Sequence, residues 1–266
     1  VHRYLAVRPK PGGDGIRLFC FHHAGGGALT FAGWQRRVGP GVSVLPVRLP
    51  GRETRRGEER LTDGARLVEE LQRDLGTLLD EPHAFYGHSL GALVAYRLAQ
   101  HRARAGQRPP ELLTVAACAA PQLPAPLVKN LLRPELPDEE LILALGGQDS
   151  IPAPLRSRAG WLGATLATLR ADLRLAQSLR SVPVTPLPCP LDAFAGDDDP
   201  LVSATEVHAW KHCTATRFRF RTVQGAHFFV RGRDVPRAVG EALRSEATGP
   251  EAARPGAAPH QAGRPT

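Results

Sequence analysis

The sequence contains no methionine, and it has only four cysteines, three tyrosines and three tryptophans in 266 residues. Cys20, Cys118, Cys189 and Cys213 are scattered without a C-x-x-C pair. That excludes a disulfide framework or a zinc ribbon and reads as buried free thiols in a reducing compartment. No apolar run approaches the roughly 18 to 20 residues that cross a bilayer, and no signal-peptide core is present, so a soluble, cytoplasmic protein without a membrane partner is expected. Lysine is nearly missing too: only Lys10, Lys129 and Lys211 occur, and arginine supplies the rest of the 34 basic residues against 26 acidic ones. No basic, aromatic-interleaved stretch or nucleic-acid-binding module accompanies the net charge of +8. The arginine excess therefore reads as codon usage and a solvated basic surface, and nucleic acid is not an expected partner.

What remains is enough for one large domain, since 42% of the residues are apolar and 23% charged. From Glu246 to Thr266 there is no Leu, Ile, Val or aromatic residue. Such a stretch buries too little to offset its ordering entropy, so residues 246–266 are expected to be a disordered tail behind a domain of residues 1–245. Within that domain, short apolar runs predict strands at Ile16–Phe21, Val42–Val47, His83–Tyr86, Leu112–Ala119, Leu191–Ala195 and Arg217–Val223. Between them, Leu67, Val68, Leu71, Leu75, Leu78 and Leu79 share one helical face, and Gly91–Gln100 is a second helix. The alternation predicts an α/β fold with a mostly parallel sheet. Residues 121–190 break the rhythm with helical segments near Asp138–Leu145 and Trp161–Leu179, and are expected to form a helical lid insertion. Its leucines either line an acyl pocket or pack only against each other, and Asp172 with Arg174 reads as a helix-surface pair.

Gly87-His88-Ser89-Leu90-Gly91 matches G-x-S-x-G between a strand and a helix. A serine on so sharp a turn needs glycine two residues before and after it, and the following helix aims its N-terminus at developing negative charge. Ser89 is thus the candidate nucleophile, in need of a base and an orienting acid further along the chain. His227, in Gly225-Ala226-His227-Phe228-Phe229 after the last strand, is the candidate base. Asp197, Asp198 and Asp199 follow the strand before it; the spacing of three from Gly196 selects Asp199, with Asp198 as runner-up. The glycine-rich turn His22-His23-Ala24-Gly25-Gly26-Gly27 follows the first strand. It offers the Ala24 amide, together with that of Leu90, as an oxyanion hole. It lacks the G-K-[ST] of a phosphate loop. His208 and His212 are four apart but lack the glutamate of H-E-x-x-H, so no metal is expected.

In their order, LFCFHHAGGGA, LPVRLPGRETRRGE, FYGHSLGALVAYRLA, LRADLRLAQSL, PLPCPLDAFAGDDDPLVS and VQGAHFFV resemble the type II (external, editing) thioesterases of nonribosomal peptide and polyketide synthases, an α/β-hydrolase family. The resemblance spans about residues 15 to 245. It implies an α/β-hydrolase fold, mostly parallel, with helices on both faces and a helical lid insertion. It implies Ser89 as nucleophile, Asp199 as acid, His227 as base, and the Ala24 and Leu90 amides as oxyanion hole. It further implies hydrolysis of acyl or aminoacyl thioesters from the phosphopantetheine arm of acyl or peptidyl carrier proteins, by a monomer with no cofactor of its own. His22 stands where the family usually has proline, Leu90 where methionine is usual, and Gly27 where serine is frequent; none of these removes a catalytic group. A carboxylesterase or acyltransferase on the same fold, or a non-catalytic carrier-binding member, are the alternatives.

Overall fold

The computed structural model of the chain describes residues 2–9, 15–133, 136–144 and 159–248. Six strands form one parallel sheet: β1 (Ile16–Phe21), β2 (Val42–Pro46), β3 (His83–His88), β4 (Leu113–Ala116), β5 (Leu191–Gly196) and β6 (Phe218–Val223), in the order β2-β1-β3-β4-β5-β6. Each predicted strand is present. The strand order reverses direction at β1, with β2 on one side and β3 on the other, which opens a crevice at the carboxyl ends of β1 and β3.

Alternation along the strands divides the core in two. Phe19, Phe21, Phe85, Leu113, Val115, Leu191 and Ala193 face one layer, while Leu18, Cys20, Val44, Ala84, Tyr86 and Phe194 face the other. The first layer holds α1 (Gly64–Leu79) and α2 (Leu90–Arg104). Asp63 caps α1 by accepting the Arg66 amide, and Leu67, Leu71, Leu75 and Leu79 are fully buried, each worth about 2 kcal/mol in area removed from water. On the opposite face lie the 3₁₀ turns Ala28–Phe31 and Trp34–Arg36 and the last helix, which the structure carries to Thr248. Trp34 is buried there and donates its indole N–H to the Val230 carbonyl at 3.1 Å. The last helix takes in residues 246–248, which were expected in the tail, and Glu246 pairs with Arg217; the rest of the expected tail, residues 249–266, lies outside the described residues.

Between β4 and β5 come α3 (Pro126–Leu131), α4 (Asp138–Ala144) and α5 (Ala159–Arg180). Leu131, Leu136, Leu141, Leu166, Leu169 and Leu173 form a small core of their own, with Ala24, Ile142 and Leu162 at its margin. Leu145 and the side chains of Leu143 and Trp161 lie outside the described residues. The second half of α5 joins the main core through Leu175, Ala176 and Leu179.

The arginines are not only a surface feature. Arg97 is buried and donates to the carbonyls of Leu179, Val182 and Pro183, closing the end of α5 against α2. Arg102, fully buried, does the same for α1 through the Leu79 carbonyl at 2.8 Å. Both satisfy carbonyls that a helix end leaves without intrahelical partners.

Candidate active site

Every segment singled out for chemistry sits where a strand ends at the carboxyl edge of the sheet. Ser89 joins β3 to α2 with φ 54° and ψ −116°, a left-handed backbone rare for a residue with a Cβ. The flanking glycines make the turn possible. A Cβ on Gly87 would overlap the Gly91 carbonyl and Ala92, and one on Gly91 would overlap the Phe21 carbonyl at the end of β1. The elbow is therefore wedged between its own helix and the neighbouring strand. The Ser89 hydroxyl makes no hydrogen bond among the described residues, so the structure does not close a bond between it and His227.

His227 and Asp199 do meet. The imidazole Nδ1–H donates to Asp199 Oδ2 at 2.8 Å, with side-chain exposures of 8% and 1% that keep water from the pair. Asp199 is held from behind, because Oδ1 accepts the Leu201 amide at 2.8 Å and the Val202 amide at 3.3 Å. The other two aspartates do different work. Asp197 accepts the Gly225 amide at 2.8 Å and so ties the turn after β5 to the loop that carries His227, while Asp198 is exposed. Of the three acids, Asp199 is the one whose side chain bonds the His227 ring.

His88, the residue before the serine, adds a contact that the sequence did not suggest. Its Nε2–H donates to the His227 carbonyl at 2.7 Å, which leaves Nδ1 to accept the Tyr86 hydroxyl at 3.2 Å. Burial, followed by neighbouring His227 and His23, pushes the His88 pKa well below its usual range, so this link is a neutral imidazole. The same neutrality extends through the glycine-rich turn. Burial lowers His22 to about 3 and His23 to about 4. Their Nδ1–H groups donate to the carbonyls of His23 and Ala24, both at 2.9 Å. No cysteine competes as a nucleophile: all four are buried, and burial pushes Cys189 and Cys213 up to about 12.

The turn after β1 lies over the crevice with Gly25 at φ 72°. The amides of Ala24 and Leu90 donate to no acceptor among the described residues. Asp172 corrects the surface reading given above. It is 1% exposed, accepts the Gly25 amide at 2.8 Å and forms a bidentate pair with Arg52 at 2.6 and 2.8 Å, while Arg174 faces solvent. Helical spacing was the signal that could have found it, because residue 172 falls in the buried stripe of Leu169, Leu173 and Ala176. No cluster among the described residues could hold a metal ion.

The chain matches the thioesterase domain family over residues 16–246. It belongs to that family. It is 34% identical over 215 residues to the gramicidin S biosynthesis protein GrsT of Aneurinibacillus migulanus, covering 81% of this chain and 83% of that one. Among solved structures it is similar to RedJ, a thioesterase from the prodiginine biosynthetic pathway in Streptomyces coelicolor. That match has 34% identity and a TM-score of 0.74, and covers 91% of this chain and 89% of RedJ. It is also similar to BorB, the type II thioesterase of the borrelidin biosynthetic cluster, at 32% identity and a TM-score of 0.73, covering 91% and 96%. The fold of this thioesterase is thus that of the α/β-hydrolases, with the crevice at the carboxyl edge of its sheet.

Proposed function

We propose that this thioesterase hydrolyses acyl or aminoacyl thioesters carried on the phosphopantetheine arm of carrier proteins, clearing stalled or misloaded units from a polyketide or nonribosomal peptide synthase. The observation that carries the chemistry is the 2.8 Å bond from His227 to a buried, doubly anchored Asp199, beside a serine set on a left-handed elbow. Asp199 holds the imidazole with Nδ1 protonated, so Nε2 is left as a base. Ser89 gives its proton to Nε2 as Oγ attacks the thioester carbonyl. The carbonyl oxygen becomes an oxyanion that accepts from the Ala24 and Leu90 amides, close to the positive end of α2. Collapse expels the thiol, which takes the proton from His227 and leaves an acyl-serine. Water then attacks with the same histidine as base and releases the acid. The open Ser89 hydroxyl does not oppose this sequence, since such bonds often form only with substrate in place.

The relatives named for antibiotic biosynthesis support the substrate class, and a net charge of +8 suits an acidic carrier protein. Four buried free cysteines support a reducing, cytoplasmic setting, and no described helix is long and apolar enough to cross a membrane. The deciding experiment is hydrolysis of a panel of acylated carrier proteins, acetyl through aminoacyl, followed by mass spectrometry with Ser89→Ala as control. Release of free acid that vanishes in the variant is expected. Faster cleavage of oxygen esters of the same acyl chains points to a carboxylesterase, and transfer to an added amine or alcohol to an acyltransferase. Turnover unchanged by Ser89→Ala would overturn the nucleophile.

A further inference from the structure

The buried Arg52–Asp172 pair stands outside the proposed triad, 120 residues apart in sequence, yet both partners end on the glycine-rich turn. Accounting for the polar groups of that turn shows what the pair does. Asp172 Oδ2 accepts the Gly25 amide at 2.8 Å. Arg52 Nη1 donates to the Gly26 carbonyl at 2.9 Å. The Gly26 amide returns to the His23 carbonyl at 3.0 Å, and the adjacent Glu53 accepts the Leu29 amide at 3.2 Å. These contacts pin the backbone just after Ala24, whose own amide donates to no acceptor among the described residues.

We infer that Arg52 and Asp172 are positioning residues that fix the turn after β1 so that the Ala24 amide faces the oxyanion, and that they make the middle of α5 part of the catalytic scaffold. The inference rests on the oxyanion hole proposed above. The chemistry requires such a device: an oxyanion donor stabilises the transition state only if it is held before the reaction, and a glycine-rich turn cannot hold itself. A guanidinium is suited to the task. Its fixed fork engages both carboxylate oxygens and still reaches a carbonyl, which an ammonium cannot reproduce. A Cβ on Gly25 would come within 3.5 Å of the Leu169 side chain, so apolar packing and the ion pair press α5 onto the same point.

The test pairs Arg52→Lys with the double variant Arg52→Met, Asp172→Leu, which removes both charges together and so leaves no unpaired ion buried. Kinetics on one acyl carrier thioester, and affinity for a trifluoromethyl ketone that mimics the tetrahedral adduct, are read alongside circular dichroism. In the double variant kcat is expected to fall roughly a hundredfold, the scale of one oxyanion donor. The ketone should weaken in parallel, while KM changes little. Arg52→Lys should lose about tenfold, because charge remains but the fork does not. A folded double variant with kcat near wild type, or one in which only KM rises, overturns the inference. If the double variant fails to fold, Arg52→Lys at wild-type kcat does so. Loss of the serine reading is separately visible, since Ser89→Ala would then retain turnover.

Discussion

Asp199 grips His227 with one carboxylate oxygen at 2.8 Å and is itself gripped through the other by the amides of Leu201 and Val202. An acid fixed this way can set the tautomer of the imidazole, and an amide in its place cannot. Asp199→Asn presents an N–H or a weaker acceptor to Nδ1, and kcat is expected to fall by about three to four orders of magnitude. Asp198→Asn, one residue earlier and exposed, should stay within about threefold of wild type. Equal losses in the two variants would mean that Asp199 is not the orienting acid.

Glycine replacements separate the elbow from the rest of the chain. Gly91→Ala forces a Cβ into the Phe21 carbonyl and within 2.9 Å of the His22 carbonyl, and both belong to backbone that cannot step aside. A loss of about 1–3 kcal/mol is expected, with impaired turnover because the serine moves with it. Gly163→Ala, inside α5 with open space around it, should instead raise stability by about 0.5–1 kcal/mol. Urea titration of the two variants side by side checks both signs.

Acid should loosen the fold before it titrates the carboxylates. Burial is the largest cause in holding His22 at about 3, His23 and His83 at about 4, and His88 well below the usual 6.5. In the unfolded chain these side chains take up protons near pH 6.5, but in the folded chain His23 and His83 do so only near about 4, His22 near about 3, and His88 well below its usual range. Their contribution is therefore complete above pH 6.5 and is lost as pH falls toward 4, at up to about 1.4 kcal/mol per pH unit for each histidine. A urea midpoint that holds steady or rises between about pH 7 and about pH 5 would contradict this account.

Much of this was legible in the chain. Apolar runs place β1 to β5 because a parallel sheet buried on both faces needs continuous hydrophobic segments, whereas the edge strand β6 alternates Phe218 and Phe220 with arginine. The elbow is legible because steric demand leaves only glycine at positions 87 and 91, on either side of a serine kept for its hydroxyl. Asp172 was misread because a charged residue two positions from an arginine resembles a surface pair, and its true partner is 120 residues away. Only the helical period, which groups it with Leu169 and Leu173, marks it as buried. His88 and Asp197 were missed for a related reason. Each acts by bonding to the backbone of the His227 loop, at the His227 carbonyl and the Gly225 amide, and no local pattern announces such a contact.

The backbone of Ser89, at φ 54° and ψ −116°, sits in the mirror image of a region that glycine visits as freely as its counterpart. Any side chain at that position costs about 1–3 kcal/mol, and Ser89→Gly should recover much of it as a higher melting temperature in an inactive protein. Directed evolution for heat tolerance alone would consequently favour lineages that discard the hydroxyl, and a screen meant to harden this biocatalyst has to score product formation in every round.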